Sequence, residues 1–148
     1  MAFDIRFLTE WTPGSETGNA GRFGRITLDD FSETFVSLIG FWSPYDYEVQ
    51  WRRGVERLVG ERRNSCLITS LHDPAATEML MWWLLYPDGD RVVVQQALLF
   101  FANLDRTFST NDPFSSIPPR RQITEEGEAI SEWSLDFASF REFLDSAP

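Results

Sequence analysis

The sequence predicts an α+β fold: a single domain over 1–148, mainly an antiparallel sheet packed against one central helix (about 44–61) and a C-terminal helix (about 136–145). Three observations carry that expectation. Several short runs alternate apolar and polar residues, the period of a strand; two segments repeat apolar residues every three or four positions, the period of a helix. Between apolar runs stand Asp88-Gly89 and Glu126-Gly127, dipeptides suited to hairpin turns. A chain of 148 residues buries about 68–70% of its unfolded surface, which supports a core without disulfide staples.

The first strand is expected at Phe3–Leu8, where Phe3, Ile5 and Phe7 alternate with Asp4 and Arg6. Residues 12–21, TPGSETGNAG, read as a flexible loop. Gly24–Leu28 alternates again, with Ile26 and Leu28 inward. Phe31–Ile39 fits both periods: Asp30 and Glu33 have the spacing of a capping box and Phe31, Phe35, Leu38 and Ile39 form a helical stripe, yet alternation and β-forming residues favour a strand. The clearest helix is SPYDYEVQWRRGVERLVGE. Ser43 stands at its N-cap, Pro44 fits the first helical position, and Asp46 and Glu48 complement the positive end of the dipole. Tyr47, Trp51, Val55, Leu58 and Val59 form one apolar stripe. Gly54 costs a helix about 1 kcal/mol against alanine, which points to a close approach to the sheet.

The stretch SCLITSLHDP, 65–74, holds the only cysteine and the only histidine, and reads as a half-buried strand over Ser65–Asp73 closed by a turn. At about 3.3 Å per residue, Cys66 and His72 stand roughly 20 Å apart on a strand, against the ~3 Å that a nucleophile and its base need. Ser70 and His72 share a face, but Asp73 points away from the imidazole it would have to orient. A small enzyme or ligand-binding protein using Ser70, His72 and Asp73 is the alternative to the bland reading, in which His72 and Asp73 cap the turn.

MLMWWLLYPDGDRVVVQQALLFF, 79–101, reads as a hairpin. With Asp88 and Gly89 at the turn centre, Tyr86 pairs with Arg91, Trp83 with Val94 and Trp82 with Gln95. The adjacent Trp82 and Trp83 point to opposite faces; one face can pack on the helix, and the other either lies under a second layer, the favoured reading, or remains as an exposed aromatic patch of the kind that binds partners. Asn103–Pro119 is expected as loop, and RQITEEGEAISEW as a hairpin around Glu126-Gly127. The terminal helix carries Phe137, Phe140, Phe143 and Leu144 on one face.

One cysteine and one histidine leave no disulfide framework, no multi-cysteine zinc site and no histidine cluster, and no EF-hand, Walker or dinucleotide loop is present. No cofactor or metal is expected. Thirteen basic and 23 acidic residues give a net charge of −10, which argues against nucleic acid as a partner and permits a basic protein. The N-terminus lacks the pattern of a signal peptide, and the longest apolar run, Met79–Tyr86, falls well short of the roughly 18 residues of a membrane span. With a lone thiol, a cytoplasmic protein away from membranes is expected. The charge is uneven: Ile123–Pro148 holds seven acidic residues against Arg141 alone, while Gln50–Arg63 holds five arginines against two glutamates.

GRITLDDFSETF, FWSPYDYEVQWRRGVERL, LITSLHDP, WWLLY and ISEWSL together resemble a family of contact-dependent growth inhibition immunity proteins, small cytoplasmic proteins of Gram-negative bacteria. The resemblance runs from about Gly24 to Leu144. Its most specific part is Phe41-Trp42-Ser43 followed by Asp46, Tyr47, Gln50 and Trp51. It implies a protein that binds, without catalysis, the cognate C-terminal toxin domain of a large secreted effector, often a nuclease. A nuclease is generally basic, so the acidic residues Glu125, Glu126, Glu128 and Glu132, with Asp88 and Asp90, are the expected contact surface.

Overall fold

A computed structural model describes residues 2–12 and 20–146. Seven strands and two helices follow one another as β1 (Phe3–Trp11), β2 (Ala20–Leu28), β3 (Phe31–Ile39), α1 (Pro44–Glu61), β4 (Ser65–Ser70), β5 (Met79–Asp88), β6 (Arg91–Phe100), β7 (Trp133–Asp136) and α2 (Phe137–Ser146). The strands are antiparallel, as expected, and form two sheets, a number the sequence left open, ordered β1-β2-β3 and β4-β5-β6-β7. A local reading finds strands but not which edges meet. Here α1 intervenes between β3 and β4 and divides the hairpin series in two.

The ambiguous segment is a strand. β3 pairs with β2 along its whole length, from Leu28↔Phe31 to Ala20↔Ile39, and Asp29 turns the corner with φ 55°. β1 and β2 are both longer than expected. Of the expected loop at 12–21, Ala20 and Gly21 belong to β2, and 13–19 lie outside the described residues.

β4 ends at Ser70 and is buried on both faces, not half-buried. Its outer edge explains why. Gln50 of α1 docks there as a neighbouring strand would: its Oε1 accepts from the Ile68 amide at 2.7 Å and its Nε2 donates to the Cys66 carbonyl at 2.9 Å. Trp51 Nε1 donates to the Ile68 carbonyl, the Leu71 amide donates to the Tyr47 hydroxyl, and the Ser65 hydroxyl donates to the Gly54 carbonyl. One helix face thus satisfies an open sheet edge that would otherwise need a strand or solvent. The close approach expected at Gly54 is present, since a Cβ there would collide with the Cys66 carbonyl. Ser43 caps α1 in a reciprocal box with Asp46, so Asp46 bonds the cap as well as complementing the dipole.

The β5–β6 hairpin turns at Gly89-Asp90, not Asp88-Gly89. Asp88 pairs with Arg91, Tyr86 with Val93, Trp83 with Gln96 and Trp82 with Ala97. Gly89 has φ 62° and stands at the first central position, where a II′ turn takes glycine. The pairing moves by two residues relative to the expected one, so every side chain keeps its face. Both tryptophans are buried. On the Trp83 face, β3 crosses the sheet: the Ser37 hydroxyl donates to the Thr69 carbonyl beside β4, Glu33 accepts from Gln96 on β6, and Phe31 packs on Trp133 of β7 at 4.6 Å. The Trp82 face is covered by the 101–132 segment, where Tyr86 donates to the Pro118 carbonyl and Gln95 to the Arg121 carbonyl. That segment contains two one-turn 3₁₀ helices: Phe101–Asn103, between the expected hairpin and the expected loop, and Pro113–Ser116, where plain loop was expected.

The hairpin expected around Glu126-Gly127 reduces to one bridge, Ile123↔Ala129, and β7, absent from the expectation, adds four residues to β6 instead. α2 closes the first sheet, with Phe140 stacked on Phe3 at 4.4 Å and Phe143 edge-on to it at 5.2 Å.

Candidate functional site

The residues with catalytic potential are not joined into a hydrogen-bonded set among the described residues. Asp73 Oδ1 accepts from the Ala75 amide and so builds the turn, as expected, whereas no side-chain bond from His72 to that turn is found among the described residues. Among the described residues no hydrogen bond or ion pair joins Ser70, His72 and Asp73. Cavities of about 360, 640 and 420 Å³ are lined by other residues. Cys66 is buried, and desolvation drives its thiol pKa far up, which suppresses the nucleophilic thiolate. Among the described residues no group of three or more His, Cys, Asp or Glu side chains could hold a metal ion.

The expected acidic surface divides into two parts. Glu125, Glu126 and Glu128 are exposed around the Gly127 turn, whose φ is 85°, and Asp90 is exposed at the β5–β6 turn. None of the four carboxylates makes an ion pair among the described residues. Glu132 differs. It receives two bonds of 2.9 Å from Arg120, and its Oε2 also accepts from Gln95 Nε2 at 2.6 Å. Those bonds from Arg120, with the one from Gln95, hold its carboxyl below the usual 4.5 against the opposing effect of burial. Arg120 also stands 3.8 Å from Asp88. Glu132 is therefore a clamp between the 101–132 segment and β6, with its carboxylate already committed to Arg120 and Gln95. The sequence offers no signal for it, because the three partners are separated by up to 37 positions.

A second surface lies at the open end of the β5–β6 hairpin. Met79 faces Phe100 and Met81 faces Leu98 across the two strands, all on the Trp83 face. They are 43%, 46%, 38% and 46% exposed, although Trp83 and Val94 further along the same face are fully buried. The covering layer stops at β3, where Glu33 meets Gln96, the residue two positions before Leu98. Which end of this face is left uncovered depends on where β3 crosses the sheet, so sequence reading missed them as a group.

Comparison with known proteins adds the following. The model of the CdiI N-terminal domain family matches residues 37–143. The chain is 26% identical over 134 residues to the immunity protein CdiI of Enterobacter cloacae subsp. cloacae, covering 90% of this chain and 92% of that protein. It superposes with a TM-score of 0.86 on a chain of the CdiA-CT/CdiI toxin and immunity complex from Enterobacter cloacae, at 26% identity and over 97% of each chain.

Proposed function

The chain belongs to the CdiI N-terminal domain family, and we propose that it is an immunity protein that binds and neutralises the toxin domain of a contact-dependent growth inhibition effector. The observation that carries this reading is the superposition over 97% of both chains on a structure described as a toxin and immunity complex. On this reading the chain acts by binding, without catalysis, in the cytoplasm of the cell it protects.

The toxin on this reading is a nuclease. Such a domain must hold phosphates and is basic, and a chain of net charge −10 attracts it over distance. Glu125, Glu126 and Glu128, with Asp90, form the part of the acidic surface that is free to act on a partner. They set the rate of encounter more than the strength of the final complex, because exposed charges steer and are screened within about 8–10 Å at ordinary salt.

The test is calorimetry between this protein and the toxin domain encoded directly upstream of its gene, at two salt concentrations. Nanomolar affinity that weakens with salt is the expected result. No binding between two folded samples would overturn the immunity reading. Changing Glu125, Glu126 and Glu128 together to Lys is expected to slow association by about tenfold or more at low salt with little change in dissociation; an unchanged association rate would remove the steering role.

A further inference from the structure

We infer that the cognate toxin docks on the apolar patch formed by Met79, Met81, Leu98 and Phe100, which supplies the centre of the interface while the acidic turn steers encounter. The inference rests on the immunity reading above and adds the surface.

Four large apolar side chains that are each about two-fifths exposed and adjacent across two strands form a contiguous patch, not the scattered exposure normal for a surface. Their chemistry suits recognition. Methionine fills irregular gaps and adapts to a partner's shape, and methionine and aromatic residues are enriched at interface centres. The strands that carry the patch are anchored on both faces, because Trp83 further along the same face and Trp82 on the opposite face are both buried. One border is polar, formed by the bond between Gln96 Nε2 and Glu33 at 3.0 Å, as the rim of an interface requires. β3, the outer strand of its sheet, runs along that border.

The occupant is a basic protein domain rather than a second copy. Two copies joined through this patch would bring together chains of −10 each, with Glu33 beside the contact, and the like charges would oppose association. A basic toxin domain meets the same field with attraction. A standard interface buries roughly 800 Å² on each partner, so the four side chains occupy its centre and leave room for the surrounding polar contacts.

The experiment is a kinetic binding measurement of the upstream-encoded toxin domain against the parent protein, the Met81→Asp/Leu98→Asp variant and the milder Phe100→Ala variant. Thermal melts establish that each is folded. The double variant is expected to dissociate about 30-fold faster or more, as loss of hot-spot residues does, with association changed by less than about threefold. Phe100→Ala is expected to dissociate about tenfold faster and carries the test if the double variant does not fold. Parent-like dissociation of a folded variant would overturn the inference. So would a parent dimer in sedimentation that the substitutions abolish without affecting toxin binding, since the patch would then serve a second copy. Failure of the parent itself to bind would instead overturn the immunity reading on which the surface depends.

Discussion

Gly54 illustrates how a single position can reverse a general rule. Gly→Ala inside a helix stabilises by about 1 kcal/mol on propensity alone. Here the added methyl would enter the space of the Cys66 carbonyl and press on Leu67, both fixed in a strand buried on both faces. Overpacking of a tight core costs about 1–3 kcal/mol, so the balance falls on the destabilising side. Gly54→Ala is therefore expected to lower the urea midpoint, and a raised midpoint would show that α1 can move off β4. Sequence pointed to this approach through the cost of the glycine. The atom on the other side was not legible, because nothing in the local pattern says that residue 54 lies against residue 66.

At the level of elements, the residues that carry the family resemblance have architectural jobs. Ser43 and Asp46 cap α1, and Tyr47, Gln50 and Trp51 bond the open edge of β4. Gln50 is the least obvious of these from sequence: it lies next to an apolar stripe and looks like a tolerated polar residue. In the fold it replaces two ladder bonds of a missing strand. Gln50→Leu keeps the volume and orphans the Ile68 amide and the Cys66 carbonyl, at a cost of about 1–3 kcal/mol for each group. Chemical denaturation is expected to show that loss while the folded fraction still binds toxin at parental strength. Weakened binding by fully folded Gln50→Leu would place the motif in the interface instead.

For the molecule as a whole, the second sheet depends on a layer made largely of irregular chain. Glu132 holds that layer to β6 through Arg120 and Gln95, and its lowered pKa fixes the sign of a pH effect. The unfolded carboxylate takes up its proton near 4.5, before the folded one does. The contribution is therefore present above that value and is lost as pH falls through the folded pKa. Glu132→Gln is expected to cost about 1–3 kcal/mol near neutrality, with the gap from the parent narrowing as pH falls below 4.5. Denaturation curves of both proteins across that range check it, and a gap independent of pH would mean that the carboxylate's charge contributes nothing. Sequence by itself determined the α+β class, both helices, the opposite faces of Trp82 and Trp83 and the acidic excess, because these follow from local periodicity, capping and composition; it left Phe31–Ile39 between strand and helix, and pairing with β2 decided that. Tertiary structure alone decided the division into two sheets, the hairpin register, the commitment of Glu132 to Arg120 and Gln95 and the exposed Met79–Phe100 patch. Each of these depends on which distant segments cover one another, and burial between segments far apart in the chain leaves no mark in the period of either.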